Sequence, residues 1–405
     1  MSTQPAKLRT LLHLLWKSPV FGDSFPAEGL ESRVMTQFDW MYARLAEALL
    51  PVLRQALPGS APAESTAIVE QIAPKSIAFC AAISAGEIRD TQRLLNAAAA
   101  ISISYWADQS MDRGDEWMLA AVQFLNHKSL ADELSNAQDF RARLEGLRHI
   151  QRFASQITRS ADDLPYALQA IERDVLGNQA QMRTLSLQFL QSQADDFWNV
   201  YAQDVAQTMI DCSGLMSAVA IIYAIYRLQQ PDLPSLNEIY SHPALMRLVR
   251  ATFNVAVRVF DDAGDCYIDT GRDAAWGSFN LNIFNQSHPK LLRAFLEYAE
   301  ISENHALRAE ILTSFALPLS ESRAALANLF MRLTRQRMAA LPEPLWRRYQ
   351  VFLTLCKRTL EAGFINVLGD AFLSENAHPS TFERDFLKMI GPDSRFFSSG
   401  QEAIL

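Results

Sequence analysis

The stretch Leu94-Leu-Asn-Ala-Ala-Ala-Ala-Ile-Ser-Ile-Ser-Tyr-Trp-Ala-Asp-Gln-Ser-Met-Asp-Arg-Gly-Asp-Glu116 decides the reading of the fold. Between Leu94 and Trp106 it carries no charged residue. A helix without a polar face has to be surrounded by other helices, so this segment predicts a helix buried in the middle of a bundle. It ends at acids. Asp108 and Asp112 are one helical turn apart, and Asp115 or Glu116 lies about one turn further, so the carboxylates line one face at the end of the buried helix.

The arrangement recurs downstream in Val257-Arg-Val-Phe-Asp-Asp-Ala-Gly-Asp-Cys-Tyr-Ile-Asp269. As a helix, this run places Asp261, Asp265 and Asp269 on one stripe, where like charges repel, with Asp262 beside them. A hard divalent cation ligated by oxygens is the simplest partner, and Mg²⁺ takes a few carboxylates together with water and substrate phosphates. The plainer alternative is a solvated acidic helix end, with Asp112 and Asp115 flanking Arg113 as a surface charge cluster.

Outward from these two stretches, the rest of the chain reads as helix. Its 405 residues are 49% apolar, and only 15 are glycine. Long Ala-, Leu-, Gln- and Arg-rich segments without alternating strands predict an all-α protein. We expect a single large helical bundle over residues 1–390, with 1–60 as an N-terminal helical segment packed on it and 391–405 as a C-terminal tail. Apolar residues recur at helical spacing from about 32 to 56, and helix resumes over 76–123. Turn formers place breaks at 57–62, 160–165 and 229–234. Two helices are expected over 291–338, parted near Leu317-Pro318, and another runs from Leu345 toward Leu368.

The net charge of -8 argues against a nucleic-acid or anionic-membrane surface. Four scattered cysteines without CxxC spacing fit a reducing cytoplasm. The longest apolar run, 215–226, is too short to span a bilayer, so no transmembrane segment is expected. His127, His149, His242 and His288 are scattered, which disfavours zinc or di-iron chemistry.

With Asp108 and Asp112 closing one helix, Asp261, Asp265 and Asp269 closing another, and Arg348-Tyr349 near the carboxyl end, the chain resembles the class I terpenoid synthases over roughly residues 75–365. The resemblance implies a cyclase-like terpene synthase that ionises an acyclic prenyl diphosphate and releases diphosphate with a hydrocarbon or alcohol. It implies Mg²⁺ as cofactor, three ions with the diphosphate, held by Asp108 and Asp112 on one wall and by Asp261, Asp265 and Asp269 on the other, with Asp262 as alternate ligand. Arg348 would bind the diphosphate and Tyr349 would hydrogen-bond it. Asp115 and Glu116 would support the first wall, Tyr105 and Phe260 would line the pocket, and Arg183 or Arg272 would replace the arginine that cyclases place before their bent helix. That bend would fall at Asp211-Cys-Ser-Gly214, where a close helix contact is the competing explanation. A homodimer is compatible with the superfamily.

The departures are specific. Ala107 stands where a first adjacent aspartate is usual, and the second motif is wholly acidic. Asp261-Asp262-Ala-Gly-Asp265 also resembles the second motif of prenyl-diphosphate synthases, and the paired DxxxD spacing that of squalene and phytoene synthases. The alternatives are therefore such a prenyltransferase, a metal-dependent hydrolase on a helical bundle, or a non-catalytic helical protein with a basic partner.

Overall fold

The computed structural model describes residues 4–17, 30–57, 62–127, 137–158, 162–212, 214–259, 262, 279, 289–301, 305–315 and 319–374. Every element among them is helical, and no strand occurs among the described residues. In chain order the helices are α1 (Gln4–Lys17), α2 (Leu30–Ala56), α3 (Pro62–Ser84), α4 (Thr91–Asp112), α5 (Glu116–His127), α6 (Gln138–Ile157), α7 (Leu164–Ile171), α8 (Asn178–Gln191), α9 (Ala194–Asp211), α10 (Leu215–Gln229), α11 (Leu236–Tyr240) and α12 (Pro243–Val249). They are followed by α13 (Pro289–Tyr298), α14 (His305–Phe315), α15 (Leu319–Ala339) and α16 (Glu343–Ser374). Two π-helical segments, Glu172–Gly177 and Arg250–Asn254, continue α7 and α12.

The chain groups into two compact units. Met1–Glu28, Leu185–Ser213 and Ala244–Leu405 form unit 1, and Gly29–Thr184 with Gly214–Pro243 form unit 2. In unit 2, α4 packs against α2, α3, α6 and α10. Leu94–Ser104 are all buried, as are Trp106, Ala107 and Met111. The polar groups this helix does bury are satisfied locally, since the hydroxyls of Ser102 and Ser104 donate to the carbonyls of Ala98 (2.7 Å) and Ile101 (2.8 Å). At its start, Asp90 caps the helix by accepting from the Arg93 amide at 3.1 Å. α2 shows why a helix forms there: Val34, Phe38, Met41, Leu45, Leu49 and Val52 recur every three or four residues and are buried.

In unit 1, α9 packs on α13, α14 on α15 and α1 on α16, while the Arg250–Asn254 segment meets α9, α15 and α16. Phe279 joins an aromatic cluster with Phe189, Phe197 and Trp198, at ring centroid separations of 5.8, 5.9 and 5.5 Å. The run Asp195–Gln229 is long and apolar enough by composition to cross a membrane, but 88% of its apolar window is buried.

The breaks anticipated at 160–165 and 229–234 fall between α6 and α7 and between α10 and α11. Others differ. The helix expected over 76–123 begins at Pro62 as α3, stops at Ala85-Gly86, whose φ values are 47° and 73°, and is divided again at Gly114. Between 291 and 338 there are three helices rather than two, because Glu300 adopts φ 59° and ends α13. Leu317 and Pro318 lie outside the described residues.

Gly146 is where α6 approaches its neighbours most tightly. A Cβ added there would lie 2.6 Å from Ala56 Cβ and 3.1 Å from Trp106 Cζ3. Gly146→Ala is therefore expected to destabilise the chain by about 1–3 kcal/mol through overpacking, despite alanine's better helix propensity. Urea unfolding compared with the parent chain measures it, and an unchanged or raised midpoint would show that α2 and α6 separate freely.

Candidate functional site

The acids that close α4 are sorted by a tight reversal. Gly114, at φ 83°, is the left-handed residue of a Schellman turn, in which the Gly114 amide donates to the Met111 carbonyl (2.9 Å) and the Asp115 amide to that of Ser110 (2.9 Å). The reversal makes Asp115 the cap of α5. One of its oxygens accepts from the Met118 amide at 3.0 Å, and the other meets Arg143 Nε at 2.9 Å. Arg143 also donates to the Ala56 carbonyl, tying α6 and α2 to this corner. Both Asp115 oxygens are thus engaged within the protein. Glu116 is exposed in the first turn of α5, where its charge suits the helix dipole.

Asp108 and Asp112 have the opposite placement. They lie in the last turns of α4, at the negative end of the dipole, where anionic side chains are unfavourable and cations favourable. Both are half-buried. Tyr105 is 39% exposed beside the buried Trp106. Arg183, on α8, is half-buried and belongs to the same unit. Unit 2 therefore holds Tyr105, Asp108, Asp112, Asp115, Glu116 and Arg183.

Of the second stretch, Phe260, Asp261, Asp265, Asp269 and Arg272 lie outside the described residues. Asp262 is 1% exposed and forms an ion pair with Arg258 one turn earlier. Arg258 also donates to the Phe279 carbonyl at 3.4 Å, which fastens the helix end to the aromatic cluster. Breaking such a buried pair costs about 3–5 kcal/mol, so Asp262 has a structural role in unit 1. Arg348 and Tyr349 part company: Arg348 is exposed, whereas Tyr349 is 5% exposed at a kink in α16 (φ −112°, ψ 16°).

The expected irregularity at Asp211–Gly214 is a helix break, for α9 ends at Asp211 and α10 begins at Leu215. Gly214 has φ 73°, and a Cβ there would meet no atom within 4 Å, so backbone conformation and not a close contact accounts for glycine. The Asp211 carboxylate accepts from the Tyr298 hydroxyl at 2.9 Å, and burial pushes it above the usual carboxylate range.

That hydrogen bond leads to a group of residues that the sequence reading passed over. The Arg250 guanidinium stacks over the Tyr298 ring, 4.6 Å from its centroid. Glu300 receives Arg247 Nε at 2.6 Å and Arg250 at 3.3 Å. Arg337, from α15, donates to the carbonyls of Ala251 and Glu300, and burial pulls it below its ordinary range. Arg247, Glu300 and Arg337 border a cleft of about 340 Å³ lined also by Leu248, Thr252 and Leu341. Arg247 and Arg250 are visible in sequence as an i, i+3 pair, but nothing local joins them to Glu300 and Arg337.

Among the described residues no three His, Cys, Asp or Glu side chains converge as a metal site. Asp108 and Asp112 are hard oxygen donors in the number that Mg²⁺ takes alongside water and phosphate oxygens, so they fit that ion. Comparison with protein-family models, curated proteins and solved structures finds no match to this chain.

Glu300 offers a test of the arginine cluster. Hydrogen bonding to Arg247 holds its carboxyl below the ordinary value of 4.5, so its contribution to stability is present above that pH and is lost as pH falls through the lowered value. Glu300→Ala should therefore unfold at lower temperature than the parent chain at pH 7, with the gap closing as the pH drops below about 4. Because the group is exposed, the gap is modest. Thermal melts across pH check this, and a gap that widens in acid would contradict the ion-pair assignment.

Proposed function

We propose that this chain is a Mg²⁺-dependent terpene synthase of the class I type, ionising an acyclic prenyl diphosphate to diphosphate and a terpene hydrocarbon or alcohol. The observation that carries this reading is α4: a helix buried from Leu94 to Ser104 that ends in two half-buried carboxylates, Asp108 and Asp112, at the end where its dipole favours a cation. Supported next is the acidic stretch Asp261, Asp265 and Asp269, which follows a largely buried helical run, Val255–Val259. Asp108 and Asp112 are the candidate ligands in unit 2, and Asp261, Asp265 and Asp269 are those in unit 1. Asp262, engaged by Arg258, holds the end of that run in place.

When bound, Mg²⁺ would neutralise charge on the departing diphosphate. The chain's own residues would do the rest. The exposed guanidinium of Arg348 would accompany the diphosphate oxygens, and the kink at Tyr349 would set the direction in which Arg348 leaves α16. Apolar helices of the kind represented by α4 would keep water from the allylic cation, a requirement of the chemistry.

Incubation of the full chain with geranyl, farnesyl and geranylgeranyl diphosphates and Mg²⁺ should release diphosphate together with an extractable terpene, and chelation with EDTA should stop it. Asp108→Asn and Asp112→Asn should each lower turnover by on the order of 100-fold while circular dichroism stays that of the parent chain. No diphosphate release from any of the three substrates, or full activity in both variants, would overturn the reading.

A further inference from the structure

The cleft bordered by the Arg250–Asn254 segment carries two independent signs of a ligand. The first is an excess of donors. Each guanidinium has five N–H groups, yet Arg337 spends its bonds on the carbonyls of Ala251 and Glu300, and Arg247 gives Nε to Glu300. Glu300 pairs with Arg247 and Arg250, and Asp211 lies within electrostatic reach of Arg250, so the guanidiniums of Arg247, Arg250 and Arg337 stand against two carboxylates.

The second sign is Thr252. Buried hydroxyls in helices ordinarily donate to the carbonyl four residues back, as Thr184, Thr208, Thr334 and Thr359 do here. Thr252 is 1% exposed and lines the cleft, but its hydroxyl has no hydrogen-bond partner among the described residues. A buried polar group without a hydrogen bond is costly, and one that borders a cleft is explained by something that fills it. π-helical segments recur at functional sites, and Thr252 stands in the middle of one.

We propose that this cleft binds a small phosphate ester, its oxygens taken by Arg247, Arg337 and the Thr252 hydroxyl and its organic part lying along Leu248 and Leu341. Guanidinium forks suit phosphate, which offers acceptors in several directions where a planar carboxylate offers them in one plane. The inference does not rest on the terpene synthase reading: the residues differ, and no metal takes part.

Isothermal titration of the full chain with butyl phosphate and with inorganic phosphate, in EDTA at fixed ionic strength, tests it. Saturable binding is expected, weakened about tenfold by Arg247→Ala. Thr252→Val is expected to weaken it by about fivefold while leaving the ligand-free unfolding midpoint unchanged or raised, since the hydroxyl has no hydrogen-bond partner to lose among the described residues. Flotation with phosphatidylcholine vesicles, with and without phosphatidic acid, separates the two sources of the phosphate. Binding to the acidic vesicles alone, lost in Arg247→Ala, would support the site with a lipid headgroup as its ligand, and binding of the soluble ester would support a free metabolite. Binding of neither, or binding that both variants keep in full, would overturn the proposal.

Discussion

A helix that offers no polar face to water forces its surroundings. In unit 2 the uncharged run from Leu94 to Trp106 is buried at every position but Tyr105, and α2, α3, α6 and α10 supply the cover. Its own serines turn inward to its carbonyls, so no other helix needs to present a polar partner to them. Charge is thereby confined to the two ends. At the N-terminal end Asp90 is a cap that agrees with the dipole; at the C-terminal end Asp108 and Asp112 oppose it. Acids placed against the dipole gain nothing from it. Gly146 belongs to the same constraint, because α6 covers α4 only where a residue without a side chain lets Trp106 and Ala56 come close.

The two π segments show a second pattern. In each, a backbone carbonyl accepts from a side chain outside the segment: Glu172 from Asn126 at 3.1 Å, and Ala251 from Arg337. An outside donor compensates for a carbonyl that the wider π turn takes out of the regular ladder. Around Arg250–Asn254 further irregularities accumulate. Glu300 occupies the left-handed position of a Schellman turn, with the Ile301 amide donating to the Leu296 carbonyl at 2.9 Å, although glycine would be less strained there. A glycine would lose the carboxylate that gathers Arg247 and Arg250. Local strain and a polar cluster coincide at this cleft.

Helix identity was legible because periodicity is a local property, and so were breaks marked by proline and glycine. The end of α13 was not: Glu300 is no turn signal, and its φ is held by the turn's hydrogen bonds and its own ion pairs. The grouping into two units was equally invisible, since the chain passes between them at residues 28–29, 184–185, 213–214 and 243–244 without a consistent linker composition. Of the candidate site, the acids at the end of α4 could be read from spacing, but the engagement of the second Asp115 oxygen depended on Arg143, 28 positions along the chain. The arginine cleft draws on Arg247, Glu300 and Arg337, whose separations exceed any window in which pattern carries information.

The π segment also bears on how the second acidic stretch should be read. A π turn holds one residue more than an α turn, so the helix beyond it is rotated by about 100° relative to an uninterrupted α-helix. Among the described residues just beyond the segment, Val255, Ala256, Val259 and Asp262 are buried. Asp262 falls on that inward stripe, and a carboxylate there requires the cation it has, Arg258. Two adjacent aspartates at 261 and 262 look interchangeable in sequence. Asp262 keeps its carboxylate on Arg258, a partner that a metal at this position would have to displace.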